Sequence, residues 1–291
     1  LTVYKELVAN STQKMPYFTQ KNVKHQHKQP DAYQKMVQKA VDCMQNDEFD
    51  KVVLSRSKAV DLKKDFDVLK LFSNLSNRYA SAFVSLVSSP KTGTWVCASP
   101  EILLSVDKDK IFRTIALAGT QSGEGLEDLS EALWRQKEIE EQALVSRYII
   151  NCFKKIRLRD FSERGPATVR AANLIHLRSD FSVDMKAVNF MELAEVMLEL
   201  LHPTSAVCGM PKELATQFIL ENEGYFRDFY TGYLGTVNMS EESHVFVNLR
   251  CMQVLDNQAV LYAGGGITKH SKPQKEWEET EMKFKTLLQV L

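Results

Sequence analysis

The stretch AGGGITKHSKPQKEWEETEMK, residues 263–283, decides the expected fold and site, because three consecutive glycines are followed there by an acidic helix. A helix that begins after Pro273 places Glu276, Glu279 and Lys283 on one face, since these positions are spaced i, i+3 and i+7. Carboxylates bind a cation, whereas a lysine and glycine amides bind an anion. The stretch therefore predicts a metal-assisted site for a small polyanion. The alternative is a solvated amphipathic helix after a loop.

A second acidic pair lies further towards the N-terminus, in a helix predicted from Asp128 to about Ile156. Within it the segment KEIEEQ places Glu138 and Glu141 on one face, three positions apart. Either pair alone is typical of a solvated helix face. Two such pairs in a chain without net charge favour one shared divalent cation, because Mg2+ takes oxygen ligands.

The composition excludes several classes of protein. The 291 residues are 44% hydrophobic, which is enough for a large core in one domain or two. Lys plus Arg and Asp plus Glu both number 37, so no charged field attracts nucleic acid or anionic lipid. No apolar run approaches the roughly 20 residues of a membrane span. The five cysteines are scattered and lack zinc spacing, so we expect reduced thiols in a cytoplasmic protein.

The N-terminal stretch, residues 1–30, is polar and lacks periodicity, so we expect it to be irregular and His25 and His27 to be solvated. The chain starts at Leu1 without a methionine, and we expect an N-terminal portion to be missing. From Asp31 onwards an apolar face with helical spacing predicts a scaffold helix. Its members are Tyr33, Met36, Val37, Ala40, Val41 and Met44.

Two isolated ionisable residues are candidate catalysts. Lys51 lies in a predicted strand, and desolvation would lower its pKa and make it a general base. The alternative is a lysine at the exposed mouth of the strand. Glu101 follows Pro100, where the chain is expected to bend. Burial would make this carboxyl an acid catalyst, whereas an exposed turn glutamate is the commoner occupant.

The C-terminal half contains further candidates. The segments YTGYLGTV, HVFVNLRCMQVL and AVLYAGGG are predicted to form three successive strands of an antiparallel meander, with Tyr230 and Arg250 on the first two. An arginine fork is a sound anchor for a carboxylate, although an arginine at a strand edge is usually solvated. His202 ends a predicted helix and is a candidate donor to a ligand, while His176 is more typical of a structural residue.

Taken together, these segments make the chain resemble the chorismate-utilising enzymes. The resemblance covers the chain from about Phe49 to Leu291 and rests on KVVLSR, SPEILL, ALAGT, KEIEEQ, HPTSAVCGMP, the Tyr230 and Arg250 segments, AGGGI and EWEETEMK, in that order. It implies an α+β fold, in which antiparallel β-sheets pack as a sandwich flanked by helices. It also implies that residues 1–291 form a single large chorismate-binding domain, with the site in a cleft beside the sheets.

The resemblance further implies a role for each candidate residue. Lys51 is the expected general base and Glu101 the expected general acid. Glu141 and Glu279 are the expected Mg2+ ligands, assisted by Glu138 and Glu276. The expected substrate contacts are Gly119, Thr120, His202, Tyr230, Arg250, Gly264, Gly265, Gly266 and Lys283.

The implied reaction is the Mg2+-dependent conversion of chorismate into isochorismate, in a pathway to menaquinone or a catechol siderophore. Family members that add ammonia lack a lysine at the position of Lys51 and work with a glutamine amidotransferase. Members that form aminodeoxychorismate carry a lysine where this chain has Ala118. We therefore expect water as the nucleophile and no amidotransferase subunit. The alternatives are a salicylate synthase, which goes on to eliminate pyruvate, and a catalytically silent chorismate-binding homologue.

Overall fold

The structure is a computed structural model, and it describes residues 17–20, 30–123, 125–171 and 174–291. The predictions for His25 and His27, and for most of residues 1–30, lie outside the described residues. The helices are α1 (Pro30–Gln45), α2 (Val68–Arg78), α3 (Gln136–Lys155), α4 (Leu193–Leu201), α5 (Lys212–Asn222) and α6 (Pro273–Leu288). No helix in these described segments is long and apolar enough to cross a membrane.

Two antiparallel sheets, each of six strands, form the centre of the molecule. The strands are β1 (Lys51–Asp61), β2 (Phe83–Ser89), β3 (Gly93–Ser99), β4 (Ile102–Val106), β5 (Ile111–Ser122), β6 (Ser162–Ala171), β7 (Leu174–Asp184), β8 (Gly209–Met210), β9 (Tyr233–Met239), β10 (Glu242–Val247), β11 (Cys251–Val254) and β12 (Gln258–Ile267). The first sheet has the order β2-β3-β11-β12-β1-β8 and the second β6-β7-β5-β4-β10-β9. This architecture, with helices against both sheets, confirms the predicted α+β fold of antiparallel sheets.

The helices cover the sheets through apolar faces that the spacing of the sequence predicts. In α1 the buried residues are the six expected from helical periodicity, so that prediction is confirmed. Helices α3 and α4 pack on the second sheet, where Phe112, Phe153 and Phe181 meet in edge-to-face contacts. Each buried aromatic side chain of this kind contributes about 1.5–3 kcal/mol to folding. The packing of α3 against β5 is what carries Glu141 towards the first sheet.

The chain passes from one sheet to the other at two adjacent places that both carry candidate site residues. Glu101 lies between β3 of the first sheet and β4 of the second, at the bend expected after Pro100. Arg250 lies between β10 of the second sheet and β11 of the first. The two crossings are hydrogen-bonded, because Val247 N donates to Glu101 O at 3.0 Å and Ala98 N donates to Arg250 O at 3.1 Å. Their side chains are therefore brought together by backbone contacts.

The predicted meander of three strands is wrong. HVFVNLRCMQVL forms two strands, β10 and β11, which belong to different sheets. The interruption lies at Arg250, whose φ of 48° is in the left-handed region and does not continue a strand. Tyr230 likewise lies in a turn before β9 rather than within a strand. A strand pattern alone does not reveal such a crossing, since both halves keep β-branched and apolar residues.

Helix α3 begins later than predicted, at Gln136 rather than near Asp128. The side chain of Asp128 instead caps a short 3-10 turn, Leu129–Glu131. The N-terminus of α3 is closed by Glu138, which accepts a 2.9 Å hydrogen bond from the backbone N–H of Arg135. This capping box satisfies a donor that the first helical turn leaves unpaired.

Candidate functional site

Lys51 is completely buried, and its ammonium group points at a carboxylate from the opposite layer of the molecule. Lys51 Nζ lies 3.2 Å from Glu141 Oε1, at a geometry outside that of a hydrogen bond. Burial lowers the pKa of Lys51, and the nearby charge of Glu141 opposes that shift only in part. The expectation of a desolvated lysine thus agrees with its position, and the alternative of an exposed strand mouth does not.

The start of β1, which carries Lys51, is held by a buried polar network. Glu223 accepts hydrogen bonds from the backbone N of Ser55 at 2.7 Å and from its hydroxyl at 2.9 Å. Arg227 donates to Glu223 and also to the carbonyl oxygens of Val53 and Val207, at 2.7 and 2.8 Å. These bonds join the strand to the loop that follows His202 and so restrict the position of Lys51.

Glu101 is buried at the crossing between the sheets and lines a cavity of about 60 Å³. Burial raises the pKa of its carboxyl to about 7, although the charges of Lys51, Arg250 and Lys283 act in the opposite direction. Near neutral pH this carboxyl can hold a proton and give it up. The pKa values of Lys51 and Glu101 are thus shifted towards each other from their ordinary values, as suits a base and an acid that work at the same pH.

Three of the four glutamates predicted on separate helices meet in one cluster. Glu141 from α3 and Glu276 and Glu279 from α6 are all buried. Lys283 donates to Glu279 Oε1 at 2.7 Å and to the carbonyl oxygen of Gly264 at 2.7 Å, so the predicted polar face of α6 points at β12. Burial alone would raise the pKa of Glu279, but lysine charges outweigh burial and hold that pKa low. Glu138, the fourth member of the predicted pairs, instead caps the N-terminus of α3.

The three glycines lie within strand β12, which continues through Ile267, so the prediction that AVLYAGGG forms a strand is confirmed. Their lack of a side chain makes room for the cluster. A Cβ on Gly266 would lie 1.9 Å from Glu141 Oε1, and one on Gly264 would lie 2.8 Å from the hydroxyl of Tyr230. Glycine is therefore required at these positions because carboxylate and phenol groups cross directly over the strand.

The cavity brings most of the predicted substrate contacts together. Its lining includes Gly119, Thr120, Tyr230, Arg250, Gly264, Gly266 and Lys283, along with Glu101, Ala118 and the expected metal ligand Glu141. Gly265, also predicted as a substrate contact, is not among the lining residues and lies against Glu276 and Glu279 instead. Within the described part of the chain, the guanidinium of Arg250 makes no ion pair or side-chain hydrogen bond, so it is free to bind an anion. The cavity is small, about 60 Å³ in volume, so side chains must move before a six-membered ring can enter.

His202 lies outside the cavity lining. Its ring packs edge-on against Tyr233, with 4.9 Å between ring centroids, and its carbonyl oxygen accepts a hydrogen bond from Lys212 Nζ at 2.6 Å. His176, which the sequence suggested to be structural, does line the cavity. Its Nδ1 bonds to the carbonyl oxygen of Gly119 at 2.9 Å, while its buried Nε2 has no hydrogen-bond partner among the described residues.

Lys137 was not among the residues predicted from the sequence to contribute to the site. Its ammonium group lies among the carboxylates of Glu141, Glu276 and Glu279. Its helical spacing of four positions before Glu141 was the available signal, because residues i and i+4 share a helix face. That signal is common on solvated helices, and only the approach of α6 makes this lysine part of a buried cluster.

A protein-family model described as "Chorismate binding enzyme" matches residues 2–291. The chain belongs to the chorismate-binding enzyme family. This membership confirms the resemblance inferred from the motifs. The matched residues include every element that contributes to the cluster of ionisable groups.

Individual chorismate-binding relatives are similar over most of the chain. Isochorismate synthase DhbC of Bacillus subtilis (strain 168) is 29% identical over 276 residues, which are 90% of this chain and 68% of the relative. Isochorismate synthase EntC of Escherichia coli (strain K12) is 31% identical over 263 residues, which are 89% of this chain and 66% of the relative. The chain thus spans about two thirds of the length of these relatives.

The structure of MenF, the menaquinone-specific isochorismate synthase from Escherichia coli, superposes with a TM-score of 0.81 at 26% identity. The match covers all of this chain and 68% of the MenF chain. The two-sheet architecture is therefore shared along the whole described length.

Proposed function

We propose that residues 1–291 form a chorismate-binding domain that converts chorismate into isochorismate with the help of Mg2+. The observation that carries this proposal is the pair Lys51 and Glu101. Glu101 lines the cavity, Lys51 is buried behind it in an ion pair with the lining residue Glu141, and the pKa values of Lys51 and Glu101 are shifted towards neutrality from opposite sides. The reaction needs such a pair, because a water must lose a proton while a departing hydroxyl group gains one.

Each proton transfer is assigned to one residue of the chain. Lys51 takes a proton from the attacking water, and the water oxygen bonds to a ring carbon of chorismate. The double bonds shift, the hydroxyl group leaves from another ring carbon, and Glu101 protonates it to form water. Atoms balance, because one water is consumed and one is released. Ala118, at the cavity wall, offers no amine that could attack the ring in place of water.

The two carboxylates of the substrate require two positively charged regions. Arg250 and Lys283 border the cavity and suit the enolpyruvyl carboxylate, with Tyr230 beside them. The ring carboxylate suits the cluster of Glu141, Glu276 and Glu279 once a metal is bound there. Holding both ends of the dianion orients the ring towards Lys51 and Glu101. This orientation lowers the activation free energy far more than either contact alone.

The residues of the cluster fit a bound Mg2+ in their chemistry. They are carboxylates, the hard oxygen donors that Mg2+ prefers, and in this structure a cation, the ammonium group of Lys137, already lies among them. We assign Glu141 and Glu279 as the metal ligands, with Glu276 and Glu138 in supporting positions. When bound, Mg2+ neutralises the ring carboxylate and draws electron density from the conjugated system.

The test is incubation of the purified protein with chorismate and Mg2+, followed by chromatographic separation of the products. Isochorismate as the product, formed only with the metal, is the expected result. Salicylate together with pyruvate would instead identify a salicylate synthase. Binding of chorismate in a titration without any product would identify a silent homologue.

A further inference from the structure

Lys137 lies at the centre of the acidic cluster rather than at its edge. Lys137 Nζ is 3.1 Å from Glu276 Oε1, 3.5 Å from Glu279 Oε2 and 3.9 Å from Glu141 Oε2. These carboxylates come from two helices, α3 and α6, so one ammonium group joins both. Its side chain is only 13% exposed, which makes this a largely desolvated contact.

The acidic and basic side chains of the cluster are equal in number without any metal. Three carboxylates, those of Glu141, Glu276 and Glu279, face three ammonium groups. Lys51 pairs with Glu141, Lys283 pairs with Glu279, and Lys137 contacts all three acids. Buried carboxylates this close together cannot all remain ionised unless cations compensate them. A divalent ion added to this balanced set would leave two uncompensated positive charges.

The same contacts also explain why the acids do not form a metal site as they stand. Among the residues that the structure describes, no three Cys, His, Asp or Glu side chains are arranged to hold a metal ion. The carboxylate oxygens stand 3.1–3.9 Å from the Lys137 nitrogen, whereas Mg2+ requires oxygens at about 2.0–2.1 Å. The acids are thus spaced for an ammonium group.

We propose that Lys137 is a built-in substitute for the metal, which holds the three carboxylates together until a divalent cation displaces its ammonium group. This inference rests on the metal site of the proposed function. Binding of the cation and binding of the ammonium group by the carboxylates exclude each other. The apparent affinity for the metal is therefore reduced by the fraction of molecules in which Lys137 occupies the cluster.

The consequence is that neutral substitutions of Lys137 tighten metal binding. Lys137→Met keeps a similar side-chain length and removes the charge. Lys137→Gln also removes the charge but keeps a polar side chain. We expect both variants to bind Mg2+ at least about tenfold more tightly than the unsubstituted protein in isothermal titration calorimetry without chorismate. Lys137→Arg, which retains the charge and can bond two carboxylates at once, is expected to weaken binding. Lys275→Met is the matched control, because Lys275 is on α6 but 61% exposed, and its affinity is expected to stay unchanged.

A second readout follows the displaced ammonium group directly. An amine-selective acetylating reagent, with modified lysines identified by mass spectrometry, is expected to modify Lys137 slowly without metal and several times faster at saturating Mg2+. Lys275 is expected to react equally fast in both conditions. Unchanged modification of Lys137, or equal Mg2+ affinity of folded Lys137→Met, Lys137→Gln and the unsubstituted protein, would overturn the inference. So would the absence of Mg2+ binding in all of them.

The Mg2+-binding experiment on the Lys137 variants and the chorismate assay can fail independently of each other. If the protein makes isochorismate but Lys137 variants bind Mg2+ unchanged, the inference fails and the proposed reaction stands. If Lys137→Met binds Mg2+ more tightly but chorismate is not converted, the inference about Lys137 stands and the proposed reaction fails. Circular dichroism of each variant establishes that it is folded before either comparison is made.

Discussion

Lys51 and Glu141 form an ion pair, with 3.2 Å between Lys51 Nζ and Glu141 Oε1, although one lies on the first strand of the first sheet and the other on the helix that covers the second sheet. The pair shows that the proposed base and the proposed metal ligands share one buried region. Removing one partner of a buried pair leaves an uncompensated charge, so the effects of substitution at these positions are expected to be large.

Lys51→Met is expected to reduce isochorismate formation at least about 100-fold, because a positioned general base contributes roughly 10²–10⁴ to rate. Methionine retains most of the buried length of the side chain, so the fold is expected to persist. Lys58→Met is the control, since Lys58 lies on the same strand but is 38% exposed. Rates are measured by chromatography at saturating chorismate. A folded Lys51→Met protein with a near-normal rate would contradict the assigned role.

The rate is expected to fall as pH rises through about 7, because the pKa of Glu101 is raised to about 7 and only the protonated carboxyl can act as the acid. Burial causes this shift, against the charges of Lys51, Arg250 and Lys283. Glu101→Gln cannot supply the proton and is expected to lose turnover by a factor of about 100 or more. A pH–rate profile that is flat between pH 6 and 8 would rule out Glu101 as the acid.

Stability provides an independent check on Glu101. The carboxyl titrates near 4.5 in the unfolded chain and near 7 in the folded protein, so the folded state binds the proton more tightly. Between these pH values the contribution of Glu101 to the free energy of unfolding falls as pH rises. Glu101→Gln is therefore expected to be more stable than the unsubstituted protein at pH 8, by roughly 1–3 kcal/mol, and little changed at pH 4. Urea unfolding at the two pH values measures the difference.

Gly266→Ala is expected to disrupt the site more than Gly265→Ala. The added methyl group at position 266 would lie 1.9 Å from Glu141 Oε1 and 3.0 Å from Lys51 Cε, whereas at position 265 the nearest atom is Glu276 Oε2 at 3.3 Å. Overpacking of this kind costs about 1–3 kcal/mol or more. Thermal unfolding and Mg2+ titration of both variants give the comparison. Equal behaviour of the two would show that the Glu141 side chain moves aside freely.

Glu223→Gln is expected to destabilise the fold by about 3 kcal/mol, because it leaves the buried Arg227 guanidinium without its charged partner. Glu221→Gln is the matched control, because Glu221 lies in the last turn of α5, just before Glu223, and is exposed, where it accepts a hydrogen bond from Gln217. Urea unfolding at pH 7 measures both. A difference below about 0.5 kcal/mol between the variants would mean that the network is not needed to hold β1.

His176 is expected to remain neutral across the pH range in which the protein is folded. Burial, Arg250 and Lys283 lower the pKa of its imidazole to about 3, while the carbonyl oxygen of Gly119 and the charge of Glu279 act weakly in the other direction. Nitrogen-15 NMR of labelled histidine is expected to show one neutral tautomer, with the proton on Nδ1, from pH 8 to pH 5. A titration midpoint near the ordinary value of 6.5 would contradict this.

Local periodicity allowed much of the molecule to be predicted. The faces of α1 and α6, the strand β1 that carries Lys51 and the bend after Pro100 follow from residue spacing and from the geometry of proline, which act over a few positions. The late start of α3 could not be predicted in this way. Arg135 and Glu138 form a capping box there, and the charge pattern of a capping box looks the same as that of a helix interior. The division of β10 from β11 at Arg250 was also missed, since one left-handed residue leaves the strand pattern on both sides intact.

The sequence by itself determined the family, the antiparallel α+β architecture and the presence of two acidic helix faces, because these depend on the order of the motifs and on spacing within single elements. Only the tertiary structure decided that the faces meet, that Lys51 is paired with Glu141 and that Lys137 lies among three carboxylates. The physical reason is that burial and charge compensation depend on which elements pack together. A helical period specifies the direction of a side chain within its own helix and carries no information about what stands opposite.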